Sequence, residues 1–429
     1  MRYHKIDTRL FVENRQRLSE YLLPNSVVIL LSNDRMPTNA DGTLPFKQNS
    51  NLFYLTGIDQ EDSFLVFAPD HPNEKMRIQL FLKETNAHIA VWEGHKLSKS
   101  EGTALSGIEE IHWSSNFDIL LKEVLIQCDH VYLYQNEHLR AETKVQTAND
   151  RFMQKIKKDY ALHQFKRLAP LLYGLRMIKS DVEINLIKEA CRITELGFRA
   201  VIPFVRPDIW EFEVEAEYSY HFLRNRATGF AYEPIIAGGA NTCILHYTMN
   251  DQKLKSGDLL LMDVGANYGN YNADMTRTIP INGKFSTRQK QIYNAVLRVK
   301  NGATNLLRPG CLISEYHLKV GEMMTEELLT LGLLTPKEVK KQDSKWPAYK
   351  KYFMHGTSHH LGLDVHDVGI TNKKVAAGMV FTVEPGIYIP EEGFGIRLED
   401  DIFIAENENI NLMEDIPIEI EEIEDLMNR

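Results

Sequence analysis

Cysteine is scarce in this chain, and nothing in its arrangement suggests chemistry. Cys128, Cys191, Cys243 and Cys311 share no CxxC spacing, so neither a disulfide framework nor a thiolate metal site is expected, and each reads as a buried thiol. Positive charge is also in deficit. Lys and Arg number 49 against 59 Asp and Glu, a formal charge of −10, which argues against the basic face that a nucleic-acid backbone requires. No apolar run approaches the roughly 20 residues of a membrane span. The opening MRYHKIDTRLFVENRQRL lacks the apolar core of a signal peptide. The expectations are therefore no nucleic acid, no membrane and a cytoplasmic home. Repeats of solenoid period and low-complexity tracts are missing too. What remains is a soluble globular composition over 429 residues, long enough for two domains.

The first 170 or so residues alternate short strand-like runs, at 27–31, 64–69, 77–82 and 130–134, with helix-like polar stretches, the pattern of an α/β domain. RFMQKIKKDYALHQFKRL, 151–168, reads as one basic helical connector. A fresh start follows at Ser180, which with Glu183 forms a capping box ahead of a helix whose apolar positions are Ile184, Ile187, Cys191 and Phe198. The boundary is placed near residue 172, giving domains of 1–172 and 173–429. Beyond it, helices near 181–202, 210–227, 287–307 and 312–332 alternate with strand pairs near 235–247, 258–282 and 378–404, so a mixed sheet covered by helices is expected.

Two of those strand pairs carry acids where apolar residues belong. LLLMDVGANYGNYNADMTR, 260–278, reads as a hairpin. A turn centred between Tyr268 and Gly269 sets Asp263 directly across from Asp274, with Cβ atoms roughly 5 Å apart. Two ionised carboxylates at that separation repel by about 3 kcal/mol at an effective dielectric of 20. A shared proton, an arginine such as Arg277, or a metal ion has to compensate. In VFTVEPGIYIPEEGFGIRLEDDI, 380–402, the turn Pro390 to Gly393 sets Glu384 across from Glu399. Four facing acids carry a charge of about −4, which two divalent cations would cancel.

Between the hairpins lies HGTSHHLGLDVHDVG, 355–369, with His355, His359, His360 and His366 as candidates for ligation or proton transfer. Gly356, Thr357 and Ser358 are poor helix residues, so this is no HExxH zinc helix. Carboxylate oxygens with one imidazole suit Mn²⁺ and also accept Co²⁺, Fe²⁺ or Zn²⁺. His88, His95 and His112 read as solvated or core residues. Asp364 and Asp367 read as loop acceptors. The lysines of 337–351 read as a solvated surface. Gly238 and Gly239 lack the context of a phosphate loop.

Five segments in order, ILHYTMN (244–250), MDVGANYGNYNADMTRT (262–278), HGTSHHLGLDVHDVG (355–369), TVEPGIYI (382–389) and GIRLEDD (395–401), resemble the motifs of aminopeptidase P, a metallopeptidase of the pita-bread fold. ADGTLPFKQNSNLFYLTG, 40–57, is similar to that family's amino-terminal domain. The resemblance implies an α/β creatinase-like domain followed by a pita-bread α+β catalytic domain. It also implies a dinuclear site, usually manganese, held by Asp263, Asp274, His359, Glu384 and Glu399. The implied activity is removal of the first residue from peptides with proline second, through attack by a hydroxide held between the ions. Glu384 is the expected general base. His246 and His366 are expected to assist binding and the tetrahedral intermediate. His355, Tyr388 and Arg397 match residues around the proline pocket, Arg397 lying two residues before Glu399 and so on the same strand face. Tyr232 joins the substrate-binding set, and Asp41 is expected at the substrate's free amine. A homo-oligomer, dimer or tetramer, is expected on the same ground.

Prolidase shares fold and ligands, and HYTMN and HGTSHH tilt the reading away from it. Methionine aminopeptidase usually lacks the large first domain. A non-catalytic pita-bread peptide-binding module, or the metal-free hydrolase creatinase, generally loses several ligands, and all five are present here. Met249 stands where close relatives often carry an acid, and the loop from Tyr388 to Arg397 is short, features that bear on substrate length.

Overall fold

The computed structural model describes residues 2–142, 144–370 and 372–429. The chain divides into two compact units, Tyr3–Arg176 and Met177–Arg429. The first unit is built on a six-stranded mixed sheet of β1 (Ser26–Leu31), β2 (Phe64–Phe67), β3 (Ile78–Leu82), β4 (Ile111–Trp113), β5 (His130–Leu133) and β6 (Gln164–Arg167), in the spatial order β4-β3-β2-β1-β5-β6. Every residue of the central strand β1 is buried. Val27, Ile29 and Leu31 pack with Phe117, Leu121, Val124 and Leu125 of the helix Phe117–Leu125, while Val28 and Leu30 are equally covered on the other face. That is why the strand reads as an unbroken apolar run instead of an alternating one.

The stretch 151–168 is not one helix. The helix Ala148–Asp159 stops before Tyr160, and β6 follows as an edge strand parallel to β5. Its solvent-facing Gln164 and Arg167 are what an edge strand tolerates and what made it read as helix surface.

In the second unit the helix Asp181–Phe204 starts at the expected capping box. The Ser180 N–H donates to Glu183 Oε2 at 2.8 Å, and the Glu183 N–H donates to Ser180 Oγ at 3.4 Å. Ile184, Ile187, Cys191 and Phe198 are all buried. The helices Glu211–Arg224, Thr287–Leu306 and Ile313–Thr330 also form. Between them come β7 (Gly229–Phe230) and β8 (Ile235–Gly238). The strand pair expected within 235–247 is absent. Gly239–Cys243 winds into a 3-10 turn, and β8 instead pairs with the long hairpin that follows.

That hairpin is β9 (Leu259–Val264), β10 (Ala266–Tyr268), β11 (Tyr271–Asn272) and β12 (Met275–Pro280). Its turn is centred one residue later than expected, between Gly269 and Asn270, both with positive φ (59° and 67°) as a two-residue I′ turn requires. Tyr268 therefore faces Tyr271, and Asp263 faces Thr276 rather than Asp274. The register slips by two, an even number, so every side chain keeps its face. Asp263 and Asp274 become diagonal neighbours on one face.

The second hairpin holds its expected register through an interruption. β13 (Val380–Val383) pairs with β16 (Asp400–Ile404), and β14 (Gly386–Ile389) with β15 (Phe394–Arg397). Glu384, Pro385, Leu398 and Glu399 fall in the gap, where Pro385 has no N–H to donate. There the Glu399 N–H turns to the Thr276 carbonyl at 3.0 Å, which ties this hairpin to β12. A last strand, β17 (Asn409–Asn411), borders β16. The carboxyl-terminal isoleucines form the helix Ile420–Met427, with Ile420 and Ile423 buried. No helix among the described residues is long and apolar enough to cross a membrane.

Candidate metal centre

Four carboxyls and one imidazole converge in the second unit because three chain segments are stitched edge to edge. The histidine loop is laid against β13: the His359 N–H donates to Thr382 Oγ1 at 3.2 Å, the Thr382 N–H to the His359 carbonyl at 3.0 Å, and the Glu384 N–H to the Thr357 carbonyl at 2.8 Å. Its own end is fixed by the Tyr316 hydroxyl, 2.9 Å from Ser358 Oγ. His359 Nε2 then stands 3.4 Å from Asp274 Oδ2 and 3.5 Å from Glu384 Oε1. Donor atoms of Asp274, His359 and Glu399 all lie within 4.8 Å of one another.

The remaining acid, Asp263, is held from two sides. The Tyr232 hydroxyl lies 2.6 Å from its Oδ1 and 2.6 Å from Oδ1 of Asp274, while Arg397 Nη2 is in close contact with its Oδ2. Arg397 also donates from Nε to Thr276 Oγ1 at 3.1 Å and from Nη1 to the Tyr388 hydroxyl at 3.0 Å. That hydroxyl is 2.8 Å from His355 Nε2, and His355 Nδ1 is 3.6 Å from Glu384 Oε2. A continuous polar chain thus runs Asp263, Arg397, Tyr388, His355, Glu384. Thr276 donates its own hydroxyl hydrogen to Glu399 Oε2 at 2.6 Å.

Arg277 does not compensate these acids. One residue out of phase with Thr276, it points to the reverse face and pairs with Asp400 at 2.7 Å, both fully buried. Arg397 supplies the nearby positive charge instead. It is not enough. Burial pushes Asp263 up, with Asp274 adding to it; burial pushes Glu399 far up, with Asp274 and Glu384 adding; burial pushes Glu384 up to about 7. Burial alone would lower His359, but its hydrogen bond to Asp274 and the charge of Glu384 outweigh that and raise it to about 9. The Tyr232 hydroxyl has one hydrogen for two carboxylate oxygens. Four packed acids with so little positive charge, offering hard oxygen donors and one imidazole, fit divalent cations.

The other expected residues are spread more widely. His366 is exposed, its ring centroid 4.2 Å from that of His359. His246 is exposed in the turn after Gly239–Cys243. That segment is anchored by buried Glu211, which accepts from Gly238 N at 2.7 Å, the Tyr247 hydroxyl at 2.8 Å and Gln252 N at 2.9 Å. Asp41 sits in an exposed turn of the first unit. His360 packs on Phe381, ring centroids 4.2 Å apart. Asp367 forms a fully buried ion pair with Lys179 at 3.1 Å. The sequence reading missed Thr276, Glu211 and Asp401, whose Oδ2 accepts the Asp274 N–H at 3.0 Å. Thr276 and Asp401 lie inside quoted motifs, and period-2 alternation from Asp274 and Glu399 would have put them on the site's face.

A two-unit frame with this acid and imidazole set defines a metallopeptidase. Residues 185–406 match metallopeptidase family M24, and residues 11–134 match the aminopeptidase P N-terminal domain. The Xaa-Pro aminopeptidase of Haemophilus influenzae is 35% identical over 99% of this chain and 98% of its own. The structure of Pseudomonas aeruginosa aminopeptidase PepP superposes with a TM-score of 0.90 at 31% identity over 99% and 98% of the two chains. That of Escherichia coli aminopeptidase P with the inhibitor Pro-Leu gives 0.87 at 33% identity over 99% of each. The chain belongs to the aminopeptidase P family. It is a metal-dependent aminopeptidase, and the prolidase reading finds no support among these relatives.

Proposed function

We propose that this chain releases the amino-terminal residue from peptides with proline in second position, using two divalent cations, Mn²⁺ first among them, held by Asp263, Asp274, His359, Glu384 and Glu399. The observation that carries the reading is the meeting of all four acids and His359 from three separate segments, with Arg397 the cation paired to Asp263. Bound there, the cations would supply Lewis acidity toward the scissile carbonyl and an activated water.

The side chains do the rest. Glu384 takes the proton of the attacking water and returns it to the departing proline nitrogen, which as a tertiary amide carries no hydrogen of its own. His366 and His246 donate toward the oxyanion and the substrate. A site for Xaa-Pro cannot rely on an N–H at the scissile bond, so it needs a shaped wall. His355, Tyr388 and Arg397, linked to one another by hydrogen bonds, are rigid enough to form one. A homo-oligomer and a cytoplasmic location belong to the same reading, the latter supported by four cysteines that are all free thiols.

The test is hydrolysis of an Xaa-Pro dipeptide and an Xaa-Pro-Yaa tripeptide by metal-stripped protein, with and without Mn²⁺. Manganese-dependent release of Xaa from the tripeptide is the expected outcome. Cleavage of the dipeptide alone would mean prolidase, and no turnover with any divalent ion would mean a binding module.

A further inference from the structure

Asp274 stands where its sheet stops serving it. β11 ends at Asn272 and β12 begins at Met275, so the Asp274 N–H has no strand acceptor. A buried backbone donor left so is costly, and native chains find it a partner. The partner here is a side chain: Oδ2 of Asp401, at 3.0 Å. The same oxygen accepts the Cys191 thiol at 3.4 Å, and Oδ1 has no hydrogen-bond partner among the described residues. Asp401 is completely buried. A carboxyl placed only to fill the core would be an expensive choice.

Its position explains the choice. Asp401 lies two residues after Glu399, on the same strand face. Directly across the ladder from it is Thr382, the residue that grips the His359 backbone from both sides. Asp274, Glu399 and His359 are the three residues whose donor atoms cluster within 4.8 Å, and each is fastened to Asp401 by one link: a hydrogen bond, a short piece of strand, or a ladder pair. Asp263, held by Tyr232 and Arg397, is outside this arrangement.

The geometry points to Asp401 as the positioning residue that sets the spacing of the Asp274, His359 and Glu399 subsite and so governs its affinity for a divalent cation. This rests on the reading of the acid cluster as the metal centre. Second-layer partners of metal ligands typically carry tenfold to hundredfold in affinity. The consequence is selective: one class of ion should weaken while the Asp263 side keeps its own supports.

The experiment is Mn²⁺ titration of the metal-stripped full chain, by calorimetry and by the paramagnetic resonance of free Mn²⁺, with metal-free melting temperatures recorded beside it. Asp401→Leu and Asp401→Ser remove the acceptor; Asp401→Asn keeps a carbonyl oxygen for the Asp274 N–H. Expected are a roughly 10- to 100-fold loss of Mn²⁺ affinity in the first two, near-parental affinity in the third, and metal-free melting that does not track the loss. Parental affinity in Asp401→Leu and Asp401→Ser overturns the proposal. So does loss of the fold, or a lowered melting temperature with no separate loss of affinity, since Asp401 would then be holding the sheet and not the site. Asp274→Asn is titrated alongside. If it binds Mn²⁺ like the parent, the metal-centre reading itself fails; if it loses Mn²⁺ while the Asp401 variants do not, only the positioning role falls.

Discussion

The hydroxyl of Tyr232 lies 2.6 Å from Oδ1 of Asp263, and it makes the same approach to Asp274. The contact places Tyr232 on the acids themselves, whereas the sequence reading had set it among the substrate-binding residues. Tyr232→Phe removes the bridge and little else, because the ring stays. Expected is a folded protein with Mn²⁺ binding and kcat/KM both reduced roughly tenfold or more; a rise in KM alone at saturating metal would return Tyr232 to the substrate.

Glu384 is the expected base, and it is the acid least supported by neighbours that hydrogen-bond its carboxyl, Thr382 Oγ1 standing at 3.5 Å. Glu384→Gln keeps the shape and removes the proton acceptor. The expected result is a folded, melting-competent protein whose turnover falls by about 100-fold or more. Substantial residual peptidase activity in a metal-saturated sample would sink the assignment.

Metal binding should be proton-linked, with a definite sign. Without cations His359 is raised to about 9 and Glu384 to about 7, so near neutrality His359 carries a proton and Glu384 carries one part of the time. A ligating imidazole must be neutral and a ligating carboxyl ionised, hence binding expels those protons. Affinity for Mn²⁺ is expected to climb as pH rises through 7 toward 9. Glu399, pushed far up by burial and by Asp274 and Glu384, must give up its proton as well, so calorimetry at one pH in two buffers of different ionisation enthalpy should report release of about two or more protons per chain. No release would contradict the crowding of these groups.

How much of this was readable in advance follows from which physical rules tolerate error. The facing acids could be named because side-chain direction in a strand depends only on parity, and centring the turn between Tyr268 and Gly269 instead of between Gly269 and Asn270 shifted the pairing by two residues, not one. The second hairpin's register could be read through Pro385 because the pairing resumes unchanged beyond it. Arg277 was a poor candidate for the acids by the same parity rule, and Arg397 a good one. What stayed hidden is what depends on tertiary approach. β6 looked like helix surface because only packing against β5 distinguishes it. Glu211 has no pattern of its own, and although period-2 alternation puts Thr276 and Asp401 on the face of Asp274 and Glu399, what each of them grips is decided by the gaps between strands that they meet.

Behind the acids, Asp400 neutralises two buried cations at once, Arg277 at 2.7 Å and Lys300 in close contact. Burial works against its charge, but Arg277 and then Lys300 hold the carboxyl well below the usual range. A depressed carboxyl contributes stability that is fully present above its unfolded value, near 4, and is lost only as pH falls through its folded one. This contribution should therefore persist at pH 5 and fade under stronger acid. Asp400→Asn leaves two cations uncompensated and is expected to cost about 3–5 kcal/mol, measured by urea denaturation of the metal-free protein. Unchanged stability would mean that the network is dispensable.

Gly265 tests the link between hairpin geometry and the metal centre most directly. It joins β9 to β10 across from the gap that carries Asp274, and a Cβ built on it would stand 1.8 Å from the Ala273 carbonyl oxygen. That neighbour is backbone and cannot swing aside. Gly265→Ala must push the two arms of the hairpin apart at the point where the diagonal pair Asp263 and Asp274 is set. Overpacking of this kind typically costs about 1–3 kcal/mol. The more informative prediction is that Mn²⁺ affinity falls along with stability, since separating the arms moves one acid relative to the other even though neither is mutated. A variant that melts earlier yet binds Mn²⁺ like the parent would show that the acids take their spacing from Tyr232 and Asp401 and not from the hairpin that carries them.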